Sequence, residues 1–261
     1  MAKTPVAEEP LRVYLAGAIC LERGTVLVTE EHLPGRQGRL AFAFLAAERE
    51  RALAREEIAD VLWNGAPPRA WDSALRALMS KLRGTLGVVG LDGSTAIAHA
   101  FGCYQLRLPA DAWVDLEAAA DAIHRAETAL RDADLVQANG WALAANAIAR
   151  RPFLPGEDGP WVGSRRAHLR NLRVRALECR AHVLIERGDF ALAARDAQEV
   201  VELEPFRETG YQLLMRAYAG AGNPAEALRV YERFRLTIAE ELGADPSPAT
   251  QAVYLEILRG E

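Results

Sequence analysis

Hydrophobic positions follow two different rhythms along the chain. Before residue 110 they come in short, mixed patterns. Residues 11–15 (Leu-Arg-Val-Tyr-Leu) and 25–28 (Thr-Val-Leu-Val) read as strands on either side of the turn signal Arg23-Gly24. Helical patterns follow over residues 36–47 and 55–63. The second places Glu56 and Glu57 in its first turn, where the helix dipole favours acids, but Ala54 offers it no capping side chain. Pro67-Pro68 breaks the chain, and residues 69–86 then carry Leu75, Leu78, Met79, Leu82 and Leu86 on one helical face, ending at Gly87. Residues 95–99 and 104–108 close this part as a hairpin around Phe101-Gly102.

Beyond residue 110 the pattern is helical throughout. The segment Arg187-Gly-Asp-Phe-Ala-Leu-Ala193 is echoed by Ala221-Gly-Asn-Pro-Ala-Glu-Ala227, 34 residues later, which is the tetratricopeptide period. In that reading Gly188 and Gly222 mark inter-helix turns, Ala193 and Ala227 a close helix crossing, and Leu184 and Tyr218 an equivalent packing position, with Pro205 ending the first repeat. Residues 116–130 and 135–148 form a further helix pair, out of strict register, that supplies the third unit such a stack needs.

Strands, three helices and a closing hairpin, in that order, predict a winged helix-turn-helix whose third helix enters the major groove and whose hairpin is the wing. On a helical wheel Arg69, Ser73, Arg76 and Ser80 fall opposite the apolar stripe, and Ala77 and Gly84 share their face. Lys81 and Arg83 flank it, where long cations reach phosphates while the centre meets base edges; Asp72 is the one acid nearby. His99 lies near the wing tip and Arg107 at its base. The expected fold class is mainly α with a small β component. Residues 1–10 are expected to be a flexible N-terminus, residues 11–109 a response-regulator-type winged helix, and residues 110–261 an all-α tetratricopeptide-like domain.

Charge narrows the function. The whole chain of 261 residues carries 31 basic and 36 acidic side chains, net −5, which excludes a polybasic coat for nucleic acid or membrane but leaves room for a local basic face. Residues 1–109 are net +1 and the remainder net −6. The N-terminus has no signal-peptide core and the longest apolar run, residues 40–47, is too short to span a bilayer, so the expected location is the cytoplasm, with no membrane partner. The odd, scattered Cys20, Cys103 and Cys179 fit reduced core or near-core thiols, and the five tryptophans fit core or domain-junction anchors. No histidine pair has ligand spacing, and phosphate loop, nucleophile elbow and dinucleotide fingerprint are all absent. The chain is therefore expected to be no enzyme and to need no metal or cofactor.

Several segments carry a family resemblance: Arg36-Gln37 leading into Leu40-Ala-Phe-Ala-Phe-Leu45, Ile58-Ala-Asp-Val-Leu-Trp63, Leu75 through Ser80-Lys-Leu-Arg83, Tyr104-Gln-Leu106, Val114-Asp-Leu116, and the most specific, Glu240-Glu-Leu-Gly-Ala-Asp-Pro-Ser-Pro248. With these the chain resembles the Streptomyces antibiotic regulatory protein family over nearly its whole length. The resemblance implies a winged helix joined to a bacterial transcriptional activator domain and DNA contacts at Ser73, Arg76, Ala77, Ser80, Lys81 and Arg83. It further implies two protomers on promoter direct repeats, contact with RNA polymerase, and control of a biosynthetic gene cluster. The chain departs from the family pattern at Gly84 and Gly38, where basic residues are usual, and at Cys103, where Gly usually precedes the wing Tyr. Two other readings stay open: a tetratricopeptide adaptor whose winged half binds protein, and a DNA-binding chain whose helical half senses a small ligand.

Overall fold

The structure, a computed structural model, describes residues 9–260, so the first eight residues of the expected flexible N-terminus lie outside the described residues. The chain divides into two compact units. Among the described residues, one gathers the chain up to Ala118 together with Arg151–His168; the other holds Ala119–Arg150 and the chain from Leu169 to Gly260. The expected cut at residue 109/110 follows chain order, whereas the compact first unit recruits a segment some forty residues further on.

The first unit opens with strands β1 (Arg12–Tyr14), β2 (Cys20–Arg23) and β3 (Val26–Thr29). The sequence pattern gave β1 and β3 but not β2, which pairs antiparallel with both and sits at the centre of the hairpin turned at Gly24. β4 (Leu53–Ala54) leads α2, β5 (Ile97–Ala100) and β6 (Cys103–Leu106) form the wing, and the short β7 (Trp113–Val114) adds to β1 in parallel, giving a four-stranded order β3-β2-β1-β7. β4 joins the wing as its third strand, in the order β4-β6-β5.

Helices α1 (Gly35–Ala47), α2 (Arg55–Trp63) and α3 (Trp71–Val88) form the tri-helical core, and one short turn, α4 (Gly93–Ala96), precedes the wing. α1 is buried on every side from Leu40 to Ala46, which explains its unbroken apolar run. At Gly38 a Cβ would lie 2.4 Å from the Pro34 ring, so packing accounts for the missing basic side chain there. Gly87 does not end α3, which runs on to Val88.

Residues 151–168 are sewn to this unit by charge. Glu157, 1% exposed, accepts from Arg36 Nε and Arg39 Nη2, both at 3.0 Å. Glu48 accepts from Trp161 Nε1 at 3.2 Å, from Arg51 Nε at 3.1 Å, and from Arg165. Asp115, fully buried, caps the chain reversal after β1 by accepting from the backbone N–H of Leu15 and of Ala16, each at 2.9 Å. Burial pushes its carboxyl pKa up, against the pull of those amides.

The second unit is built of antiparallel helices. Helices α5 (Asp115–Arg131) and α7 (Pro160–Glu186) contribute their later parts, and α6 (Leu135–Ala149), α8 (Phe190–Leu203), α9 (Glu208–Gly220), α10 (Pro224–Leu242) and α11 (Pro248–Arg259) complete it. The 34-residue repeat is visible atom by atom. Gly188 and Gly222 both have φ of +77°, and the next amide reaches back to the helix: Asp189 N to Leu184 O at 2.8 Å, Asn223 N to Tyr218 O at 2.9 Å. The pair α5–α6 makes the same turn, with Asp134 N to Ala129 O at 2.8 Å, but on Ala133 at φ +57°.

Space around both repeat glycines is open, so they serve the left-handed turn and not a helix crossing. The tight crossings are at Gly210, whose added Cβ would lie 2.7 Å from Val200, and at Gly220, 2.3 Å from the Phe190 ring; Ala193 and Ala227 are fully buried as expected. The core gathers Tyr211, Leu214, Met215, Ala227, Phe234 and Val253, with Tyr211 and Phe234 rings 4.3 Å apart.

The Glu240–Pro248 motif is a helix joint: Gly243 ends α10 in the left-handed region at φ +62°, Ser247 caps α11 and Pro248 opens it. Glu208 locks the joint, accepting from the Ser247 amide at 3.0 Å, the Ser247 hydroxyl at 2.6 Å and Thr250. Cys179 is buried and Cys20 and Cys103 half-buried, all free, while no tryptophan is fully buried. Among the described residues no helix is long and apolar enough to cross a membrane, and no group of metal-ligating side chains converges.

Candidate nucleic-acid interface

α3 is amphipathic because its five apolar residues recur at helical spacing, and all five are buried. Its opposite face exposes Ser73, Arg76, Ala77, Ser80, Lys81 and Gly84. Arg69 is exposed in the turn just before α3. The wheel positions thus become one continuous outer surface, with the wing beside it.

Charge on that surface is arranged by one acid. Asp72, in the first turn of α3, accepts from Arg55 Nη1 at 2.9 Å through one oxygen and from Arg76 through the other. It aligns Arg76 along the helix and leaves that side chain 64% exposed. Among the described residues Lys81 and Arg69 have no side-chain partner. Ser73 turns its hydroxyl to the Ala70 carbonyl at 2.9 Å, a local bond that a competing acceptor can replace.

Arg83 differs from its neighbours. It is half-buried and donates from Nε and Nη2 to the Ile97 carbonyl, at 3.2 and 2.7 Å, tying α3 to the first wing strand. Close approach is needed for this: a Cβ on Gly93 would sit 2.5 Å from the Arg83 carbonyl oxygen. Two of its donors are therefore structural.

In the wing His99 is exposed, with its ring 4.5 Å from that of the buried Tyr104. Arg107 is exposed at the foot of the wing. Cys103 is half-buried in β6, its Sγ 3.8 Å from the Phe101 carbonyl.

Two residues escaped the sequence reading. Arg55 opens α2, joins Asp72, and donates its backbone N–H to the Gly102 carbonyl at 3.2 Å, linking α2, α3 and the wing. Its signal, a lone cation at a helix start, does not distinguish it from any surface arginine. Phe101 at the wing tip is fully exposed with φ +51°. An aromatic directly before a turn glycine was the available cue.

Comparison with known proteins agrees with this architecture. The model of the Bacterial transcriptional activator domain matches residues 114–258. The regulatory protein AfsR of Streptomyces coelicolor is 32% identical over 86% of this chain, and AfsR of Streptomyces griseus is 30% identical over 98% of it. The transcriptional regulatory protein EmbR of Mycobacterium bovis is 28% identical over 85%. The solved structure of Mycobacterium tuberculosis EmbR in complex with a low-affinity phosphopeptide superposes with a TM-score of 0.87, at 26% identity, over 97% of this chain and 66% of that one. The chain spans only 22% and 25% of the two AfsR proteins and 57% of EmbR. It belongs to the family of the bacterial transcriptional activator domain, of the Streptomyces antibiotic regulatory protein type.

Proposed function

We propose that this chain is a sequence-specific, DNA-binding transcriptional activator with no catalytic step, acting in the cytoplasm on promoter direct repeats that control a biosynthetic gene cluster. The observation that carries the reading is the outer face of α3: a surface of hydroxyls, one aligned arginine and one unpartnered lysine, opposite a fully buried stripe and flanked by the wing. A helix face of this width and chemistry matches a major groove, where Arg76 and Ser80 meet base edges and Ala77 lies against a thymine methyl. Ser73 shares that groove. Arg69, Lys81 and His99 meet phosphates around it, and Arg83 sets the wing angle while its remaining donors face the backbone.

The helical unit supplies the other partners in this reading, a second protomer on the adjacent repeat and RNA polymerase. Its net charge opposes long-range attraction to phosphate. Repeated selection of duplexes from a random library tests the proposal. The expected product is a repeated motif in one orientation. Inserting about five base pairs, roughly half of the ~10.5-base-pair turn, between the repeats abolishes cooperative binding and inserting ten partly restores it. Recovery of no motif at any salt concentration supports the adaptor reading instead.

A further inference from the structure

Phe101 combines two unfavourable features at one position. Its side chain is exposed at 104% of the reference area, and its backbone sits at φ +51°. With Gly102 at φ +77° it forms two consecutive left-handed residues joining Ala100 to Cys103, the two-residue hairpin turn that Asn-Gly makes at least cost. Glycine answers the second position. Phenylalanine at the first crowds a bulky side chain against its own backbone and leaves an apolar ring in water. An aromatic held in this way points to a role outside the fold.

The tip that carries it is anchored. Ala54 of β4 pairs with Cys103, the Arg55 amide donates to the Gly102 carbonyl at 3.2 Å, and Arg83 fastens the other wing strand at Ile97. The ring is therefore presented by a hairpin braced against α2 and α3. Free cations are scarce along it: Arg107 stands at the foot, and the Arg55 guanidinium, 3.8 Å from where a Cβ on Gly102 would lie, is engaged by Asp72. Attraction to phosphate is thus a small part of what this hairpin brings to a duplex.

A hairpin beside a helix in the major groove meets the adjoining minor groove, and apolar side chains there part a base step and bend the duplex. We infer that Phe101 is such a wedge, entering the minor groove next to the α3 site and favouring an easily unstacked pyrimidine–purine step. Its preference is exercised through deformability, with no hydrogen bond to a base. The inference rests on the DNA-binding reading of α3 and adds a second specificity determinant to it.

F101N and F101L variants of the whole 261-residue chain test it against duplexes selected by the wild-type chain. Asn removes the ring and gives the turn its favoured residue; Leu keeps an apolar wedge. F101N is expected to melt at higher temperature than wild type, so loss of fold cannot explain its binding. It should bind roughly tenfold more weakly, bend the duplex less by end-to-end energy transfer, and lose preference at the flanking step while keeping it under α3. F101L should retain most of the bend. F101N binding and bending like wild type overturns the wedge. So does an F101N protein that binds and bends normally but no longer stimulates polymerase, which assigns the ring to a protein partner. A wild-type chain that selects no motif removes the DNA reading itself, a result distinct from either.

Discussion

Cations do different work between the helices of the second unit and on the outer face of α3. Between the helices of the second unit arginines are engaged: Arg175 grips Glu127 with two bonds of 2.7 and 2.6 Å, Arg207 grips Glu178 at 2.6 and 2.7 Å, Arg173 joins Glu199 and Arg180 joins Asp196. The two forked pairs, Arg175–Glu127 and Arg207–Glu178, place planar guanidinium against carboxylate and hold neighbouring helices in register. At α3 Arg76 is aligned by Asp72 yet exposed, and Lys81 and, in the turn before the helix, Arg69 are unpartnered among the described residues. The lesson is that net charge says less about a binding surface than pairing does. Residues 1–109 are net +1, yet they carry the candidate interface.

The sharpest way to break this contrast is to delete one arginine of each kind. Arg207→Ala strands Glu178, which is 8% exposed, and should lower unfolding free energy by about 2–4 kcal/mol in denaturant titrations while leaving base preference intact. Arg76→Ala should do the reverse. Binding to the selected site falls by about 1–3 kcal/mol and preference relaxes at one position, with the melting temperature nearly unchanged. Equal losses of stability and of base preference in both variants would erase the distinction.

Pairing inside the winged unit predicts a pH signature. Burial works against the Glu48 charge, but bonds from Arg165, Trp161 and Arg51 outweigh it and hold the carboxyl pKa below its ordinary value of 4.5. A depressed folded value means the stabilisation is complete above the ordinary value and fades as pH falls through the depressed one. The advantage of wild type over Glu48→Gln, about 1–2 kcal/mol, should therefore be level above roughly pH 5 and shrink below 4.5, read from thermal melts across that range.

How far the sequence could be read follows the range of the interactions. The α3 stripe and the Gly188/Gly222 repeat are local patterns, and the structure realises both. β7 and the 151–168 segment were not legible, because what places them is distant: Asp115 holds amides about a hundred positions away and Glu157 holds arginines more than a hundred away, whereas β2 pairs with near neighbours and was missed because Cys20–Arg23 buries only Leu21 and shows no alternation. The helix pair 116–130/135–148 was legible, but Ala133 hid its kinship with the two repeat turns, since a glycine there would have announced it. Arg83 was legible as a flanking cation but not as a strut, because its acceptor is a backbone carbonyl that no residue type betrays. Base contacts remain a proposal resting on the exposed face.

That alanine turn gives the smallest prediction. Ala133 holds φ +57° where its two counterparts hold glycine, so Ala133→Gly should stabilise the helical unit by ~0.5–1 kcal/mol, as strain relief exceeds the added freedom of the unfolded chain. Gly222→Ala should cost a similar amount. Matched denaturant titrations of both variants check the pair, and opposite signs are the expected result.

The account stands most directly on the salt dependence of binding to the selected duplex, measured side by side for wild type and Lys81→Ala. Released counterions make wild-type log K fall linearly with log salt. Loss of the Lys81 phosphate contact should make that slope shallower by about one unit while base preference stays the same. A wild-type line that is flat, or a Lys81→Ala line that coincides with it, would contradict the claim that the outer face of α3 is a DNA-binding surface.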